Sequence, residues 1–476
     1  AMKQWFLEIS KIKDRIIEEN SSVTWVPSWV SERYENGVEY AGDWCLSRNR
    51  YWGIPMPIWV CSKCGAMRVV GSFSELSKLA TEPFDPETFD PHRPHVDEIQ
   101  IRCECGGTMR RVPDIVDVWF DSGIASWSSL GYPSNPDALS IWPADLVIEG
   151  SDQVGKWFYS QQAASVITFD KSCYKKVLMH GFALDAQGKK MSKSFGNVVD
   201  PDEVVEKYGA DVLRYYMLWA NSPWEDLKFN FTELSTVQRM LNVFWNVCVF
   251  ASTYMELDGF EGGNLDSVKS HLRPEDRWLL SKTNSLVREV SRSMEEMNFL
   301  HATRAIQRFI LDDLSRLYVR LARERTWVEA QDPDKLACYE TLYYSIDRLL
   351  RLLAPIVPHL SEAIYQRLIR RDGRPESIHL EDWPRVDEDL VDEDLERSMA
   401  LVQSLVETAL AARQKAGIKL RRPVGRIIVE TDNPEVASAV EKLEDVLREQ
   451  TNCCLLYTSD AADEGLGVDL GGRRII

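Results

Sequence analysis

The sequence predicts an α/β nucleotide-binding domain with a cysteine knuckle inserted in it, followed by a domain made of helices alone. Three observations predict this. Residues 114–222 alternate short apolar runs with polar turns and helical stretches, the rhythm of strands joined by crossovers. From Trp224 onward the pattern changes to helix after helix. Between residues 58 and 112, two close thiol pairs interrupt the chain, Cys61/Cys64 and Cys103/Cys105.

At 476 residues the chain is long enough for two to four cores. Its 44% hydrophobic and 27% charged composition is that of an ordinary globular protein. No apolar run approaches a membrane span, which predicts no membrane partner. The net charge of −18 argues against a polyanionic partner on average, but binding depends on local patches. The ten cysteines fall as two pairs plus mostly isolated residues, which suits a reducing cytoplasm and one metal site. Residues 1–42 read as a helix through Trp5, Phe6, Ile9, Ile12 and Ile16, then a connector, Trp25-Val-Pro-Ser-Trp29. The start, Ala1-Met2, reads as cut from something longer.

Gly42–Gly53 mixes Arg48 and Arg50 with Tyr51 and Trp52, a combination that predicts a nucleotide or RNA surface. Each thiol pair that follows is succeeded by glycine, so backbone amides can turn toward the sulfurs around one tetrahedral zinc. Four thiolates leave no open position, so the zinc would be structural. A redox pair or unligated thiols are the alternatives.

In the α/β stretch, Ala144–Gly150 reads as a buried strand ending in Glu149, with Ser151-Asp-Gln153 at a helix N-terminus. Lys176–His180 is a second strand. Polar groups at such strand ends are where open α/β sheets bind nucleotides. Taken singly, Glu149 or Asp152 could be a cap, and His180 a satisfied strand-end histidine. The strand leads to Gly188-Lys-Lys-Met-Ser-Lys-Ser-Phe-Gly-Asn197, whose lysines and serines can wrap a polyphosphate. A solvated basic turn is the plainer reading. In the helical part, Leu314, Leu317, Leu321 and Trp327 recur at helical spacing, and Arg316, Arg320 and Arg323 form an i, i+4, i+7 stripe. Such a stripe is either a solvated face or an RNA-backbone contact. A second basic cluster spans Arg413–Arg422.

Together these strings resemble the isoleucyl-tRNA synthetase family of class I aminoacyl-tRNA synthetases. Lys190-Met-Ser-Lys-Ser194 matches the class signature. Gly42–Gly53, Asp117–Gly123, Glu149-Gly-Ser-Asp-Gln153 with Trp157, Leu353–His359, Ser377–Pro384 and Arg413–Pro423 follow in family order, over residues 3–452. The resemblance implies a Rossmann-like second half-domain and an all-α helical-bundle anticodon-binding domain. It implies activation of isoleucine by ATP with Mg2+, transfer to tRNA(Ile), and a monomeric cytoplasmic enzyme. By the same resemblance, Glu149, Asp152 and Gln153 hold the adenylate, and Trp119 and Trp157 wall the aliphatic pocket. Lys190, Ser192, Lys193 and Ser194 grip pyrophosphate, Cys61, Cys64, Cys103 and Cys105 hold structural zinc, and Arg316, Arg320 and Arg323 meet tRNA. The implied division is 1–42, the exit of the editing insertion; 43–222, catalytic; 223–385, anticodon-binding; and 386–453, a junction domain. The family's His-Ile-Gly-His signature is absent, so the chain alone is expected to be inactive. Valyl- or leucyl-tRNA synthetase shares fold and loop, and a non-catalytic tRNA-binding module is a third reading. The four cysteines with Arg413–Pro423 favour isoleucyl, and the intact adenylate residues disfavour a mere binder.

Residues 454–476 resemble a translated sequencing adaptor and are expected to lie outside the fold. Deleting them should leave the melting temperature unchanged, whereas a fall of several degrees, about what 1 kcal/mol produces in a domain, would show that they pack.

Overall fold

The computed structural model describes residues 4–459, 468–469 and 474–475. Two compact units divide it, one of residues 1–182 with 224–226 and the other of 183–223 with 227–476.

The first unit is organised on a parallel sheet of β1 (Thr24–Val26), β2 (Val147–Gly150) and β3 (Lys176–His180), in the order β2-β3-β1. Val147 pairs with Val177 and Gly150 with His180, while Trp25 pairs with Val177 on the other side. The connector expected around Trp25 is therefore a strand of the sheet. Its pattern is too short to show a period, and its pairing partner lies some 150 residues away in sequence. The buried Trp25 ring packs on Tyr34, Phe158 and Tyr174 and donates its indole N–H to Asn20 at 2.8 Å. The single helix expected from Trp5 is likewise broken, into a strand pair at Phe6–Leu7 and a helix at Lys13–Asn20.

Within this unit, residues 58–111 form a separate antiparallel sheet. Met67–Val69, Ile58–Cys61, Thr108–Arg111 and Ile101–Arg102 lie side by side in that order. Trp59, Leu76, Ile101 and Met109 form its own small core.

The second unit opens with a strand pair, β4 (Ala183–Leu184) beside β5 (Leu227–Lys228), and continues as helices. Its core gathers Phe244, Trp278, Ile306, Tyr318, Tyr339 and Leu349 from successive helices. Phe309–Tyr318 is π-helical, Val319–Ala322 α-helical and Glu324–Trp327 a 3-10 turn. The arginine stripe thus runs from the π-helix at Arg316 through the α-helical turn at Arg320 to Arg323, the residue between the α-helical and 3-10 turns, rather than along one α-helical face. After the helix Glu393–Lys415, β6 (Val424–Glu430) pairs in parallel with β7 (Cys453–Ser459). The first part of the adaptor-like stretch, expected to lie outside the fold, is instead paired with Arg426–Glu430 as a strand, because its apolar residues offer a partner to β6, and most of the rest lies outside the described residues. Among the described residues, no helix is long and apolar enough to cross a membrane.

Candidate functional site

The strand β2 ends on Glu149 and Gly150, and a 3-10 turn at Ser151–Gln153 carries the chain into a helix, Trp157–Phe169. Asp152 is exposed and pairs with Lys156 at 3.3 Å, and Gln153 donates to it at 3.2 Å. The Gln153 side-chain Oε1 accepts the Trp157 backbone N–H at 3.3 Å, tying the turn to the helix start. Glu149 is exposed and accepts only the neighbouring Gly150 N–H, at 3.3 Å. These carboxylates are held loosely, in solvent, at the carboxyl end of a parallel strand, where such sheets bind ligands.

Trp157 donates its indole N–H to Ser122 O at 2.9 Å, which ties it to the helix Val118–Gly123 bearing Trp119. Gly123 explains the close approach: a Cβ there would lie 2.9 Å from the Ser160 carbonyl oxygen. Trp119 remains 37% exposed. The structure thus brings the two tryptophans onto neighbouring helices beside the acids.

Arg48 departs from the expected RNA surface. It is half-buried and pairs at 2.8 Å with Asp117, itself buried and also bonded by Trp44 at 2.9 Å. Tyr51 and Trp52 are exposed, and Trp52 stacks on His92 with ring centres 4.6 Å apart.

The four knuckle sulfurs all lie within 4.8 Å of one another, with Cys61–Cys105 and Cys64–Cys103 at 3.6 Å. Thiolates about 2.3 Å from a tetrahedral zinc stand about 3.8 Å apart, so the donor set fits that ion. Backbone N–H groups of Cys64 and Lys63 pull the Cys61 thiol down to about 6, while the neighbouring sulfurs, Cys64 first, push the Cys105 thiol up. A Cβ on Gly107 would sit 2.9 Å from Cys61 Sγ and 3.3 Å from Cys105 Sγ, so glycine keeps the space between the knuckles open.

In the second unit, Lys189, Lys190 and Lys193 are exposed, while Met191 turns inward against the core. Ser192 Oγ caps the turn Lys193–Phe195 and lies 2.8 Å from Ser194 Oγ. Two residues outside the expected site frame this loop. Asp185 is 8% exposed, and its carboxylate accepts from Gln187 N (3.0 Å), Lys189 N (2.8 Å) and Asn197 Nδ2 (2.9 Å). These bonds, led by Asn197, hold its pKa below the ordinary aspartate range. The sequence signal was an acid just before a lysine-rich turn, with an amide just after it. Nothing in periodicity marks such a pair.

Arg316, Arg320 and Arg323 are all exposed, with Arg316 paired to Asp312 at 2.6 Å. Trp327, expected with the apolar residues, is 62% exposed. Arg413 turns inward and donates to the carbonyls of Lys419 (2.9 Å) and Leu420 (3.2 Å), so it shapes the basic turn rather than displaying charge there.

Residues 1–230 match the family model of class I tRNA synthetases for I, L, M and V, and residues 276–429 match the anticodon-binding domain of tRNA ligase. The chain is 53% identical over 477 residues to the isoleucine–tRNA ligase of Pyrococcus abyssi, covering 95% of this chain and 44% of that protein. It is 50% identical to that of Methanopyrus kandleri, with 95% and 43% covered. The chain therefore spans less than half the length of these curated relatives. Among solved structures, it resembles the Agrobacterium radiobacter K84 agnB2 LeuRS in a ternary complex with tRNA and LeuAMS. The TM-score is 0.57 and the identity 22%, over 84% of this chain and 50% of that one. At that identity the likeness concerns the fold.

The helix contact at Gly123 is directly testable. Gly123→Ala should destabilise the protein by about 1–3 kcal/mol, the usual range for overpacking, read as a lower urea midpoint with an unchanged slope. An unchanged midpoint would mean that the two helices have room to part.

Proposed function

We propose, because the chain belongs to the class I aminoacyl-tRNA synthetases, that it is part of an isoleucine–tRNA ligase. The activity is ATP-dependent formation of isoleucyl-adenylate and transfer of the acyl group to tRNA(Ile). The observation that carries this reading is the Lys190–Ser194 loop, with its methionine packed inward and its lysines exposed. No covalent nucleophile is required. Positioning and charge stabilisation at the phosphates lower the barrier. The parallel sheet serves as the second half of a Rossmann-like nucleotide fold, and the helical unit as the anticodon-binding part. The 22%-identical LeuRS supports the fold, and the isoleucine ligases at 50–54% identity support the choice of amino acid.

In this reading Glu149, Asp152 and Gln153 hold the adenylate, whose ribose hydroxyls and ammonium group are hydrogen-bond donors matched to exposed acceptors. Trp119 and Trp157 wall an aliphatic pocket. In isoleucyl-tRNA synthetases such a pocket separates isoleucine from valine by only ~150-fold, so editing elsewhere in the enzyme is required. Lys190 and Lys193, with Ser192 and Ser194, hold the leaving pyrophosphate of ATP, which enters with Mg2+. Arg316, Arg320 and Arg323 meet the tRNA backbone. Cys61, Cys64, Cys103 and Cys105 hold a zinc whose role is to staple two loops of a small sheet.

Two experiments test this. The purified chain should carry about one zinc, the stoichiometry of a four-cysteine site, and lose it when Cys103 and Cys105 are both changed to Ser. Metal content unmoved by that double change would remove the zinc assignment. In a protein of the relatives' full length carrying this sequence, Lys193→Ala should lower isoleucine-dependent pyrophosphate exchange by roughly 100-fold or more, the scale for one oriented transition-state contact, with little change in isoleucine KM. Normal turnover in that variant would take the loop out of the mechanism.

A further inference from the structure

We propose that Asp185 and Asn197 form a latch that holds the Lys190–Ser194 loop in its presenting conformation, and that they are positioning residues for whatever the loop binds. The ligand class, a polyphosphate, rests on the reading above, whereas the latch rests on the geometry alone. A loop carrying Lys189, Lys190 and Lys193 repels itself. Local backbone bonds hold its start, where Asp185 N–H meets Lys189 O at 2.9 Å and Leu184 bridges Lys190, and they leave the stretch about Met191 to side chains. The structure solves this with two side chains at the loop's ends. Asp185 Oδ1 accepts the N–H groups of Gln187 and Lys189, and Oδ2 accepts Asn197 Nδ2. Asn197 then reaches back into the loop. Its Oδ1 accepts Ser192 N–H at 2.9 Å, and its Nδ2 also donates to Lys190 O at 3.2 Å. The pair thus binds backbone on both sides of Met191, whose Sδ in turn accepts Val199 N–H at 3.5 Å.

The consequence is directional. With Ser192 N–H and Lys190 C=O already engaged by Asn197, the peptide on either side of Met191 is fixed in orientation. Met191 points to the core, while Lys190, Lys193 and Ser194 on either side of it stay exposed. Asp185 lies too deep to touch a ligand, being 8% exposed, and its charge offsets the repulsion among the lysines from below.

The chemistry of the pair sets its own test. Asn197→Ala removes three bonds at once. Asp185→Asn sets two amide groups face to face and loses the bridging bond while sparing Oδ1. The double exchange, Asp185→Asn with Asn197→Asp, restores the bridge with donor and acceptor reversed. The amide at 185 keeps Oδ1 for Gln187 and Lys189, and the carboxylate at 197 still accepts Ser192 N–H. Only the bond to Lys190 O stays lost.

Digestion of the whole chain with trypsin, followed by mass spectrometry, reads how often the loop opens at Lys189, Lys190 and Lys193. Each single change should speed cleavage there by about tenfold, the worth of one or two net hydrogen bonds, and the double exchange should return it most of the way. The thermal midpoint should not move, which separates the latch from general stability. Inorganic pyrophosphate should protect the loop in the wild type and in the double exchange, and much less in either single variant. A double exchange no better than the single changes would overturn the latch. The expected cleavage pattern without protection by pyrophosphate would uphold the latch and defeat the polyphosphate reading.

Discussion

One buried carboxylate, Asp185, governs the conformation of the lysine-rich loop that follows it. A loop that carries three lysines gathers cations, and gathered cations push apart. Asp185 resolves that conflict by sitting under the loop and spending its lone pairs on backbone N–H groups and Asn197 rather than on the lysines. Had it paired with a lysine, it would have stabilised the loop and cancelled part of the charge that the loop carries. Hydrogen bonds to the ionised form also keep it ionised, so the arrangement reinforces itself.

The helical unit applies the same rule to a different end. Asp276 is fully buried, and each of its oxygens is used. Arg325 meets it in a bidentate pair at 2.7 and 2.8 Å, Tyr318 donates at 2.6 Å, and the Arg273 backbone N–H closes the helix cap at 2.9 Å. Burial works against the Arg325 charge, but the bonds to Asp276 prevail and raise its pKa above the ordinary value. A buried pair of this kind is weak evidence for stability and better evidence for register. Here it joins both ends of the segment from Tyr318 to Arg325 to one point on another helix. Arg320 and Arg323 lie between those ends and stay exposed. The anchors are buried so that the residues between them can face outward in a set orientation.

Arginines illustrate how far residue type alone can mislead. Arg48, Arg316 and Arg413 look alike as basic residues in suggestive motifs. The structure gives Arg48 to buried Asp117, turns Arg413 onto backbone carbonyls, and leaves Arg316 on the surface beside Asp312. A guanidinium carries five donors on a long stem, so its role is set by which acceptors the fold brings within reach.

The sequence by itself determined the features whose chemistry is local. Two cysteine pairs with following glycines marked two knuckles, because short spacings leave a thiol pair few ways to turn, while the sheet that sets Cys61 beside Met109 brought the four sulfurs within 4.8 Å. The lysine-rich loop was legible for the same reason, as was the change to helices after Trp224, where a repeated period needs no distant partner. Tertiary structure decided everything that rests on a partner far along the chain. Trp25 became a strand because Val177 was there to pair with it, and the segment before Arg316 became π-helical within a packed bundle. Asp185 and Asn197 found each other across a loop whose own residues gave no sign of the bond. Local spacing limits what a segment can do, but the free energy that selects among those options comes from contacts no local pattern contains.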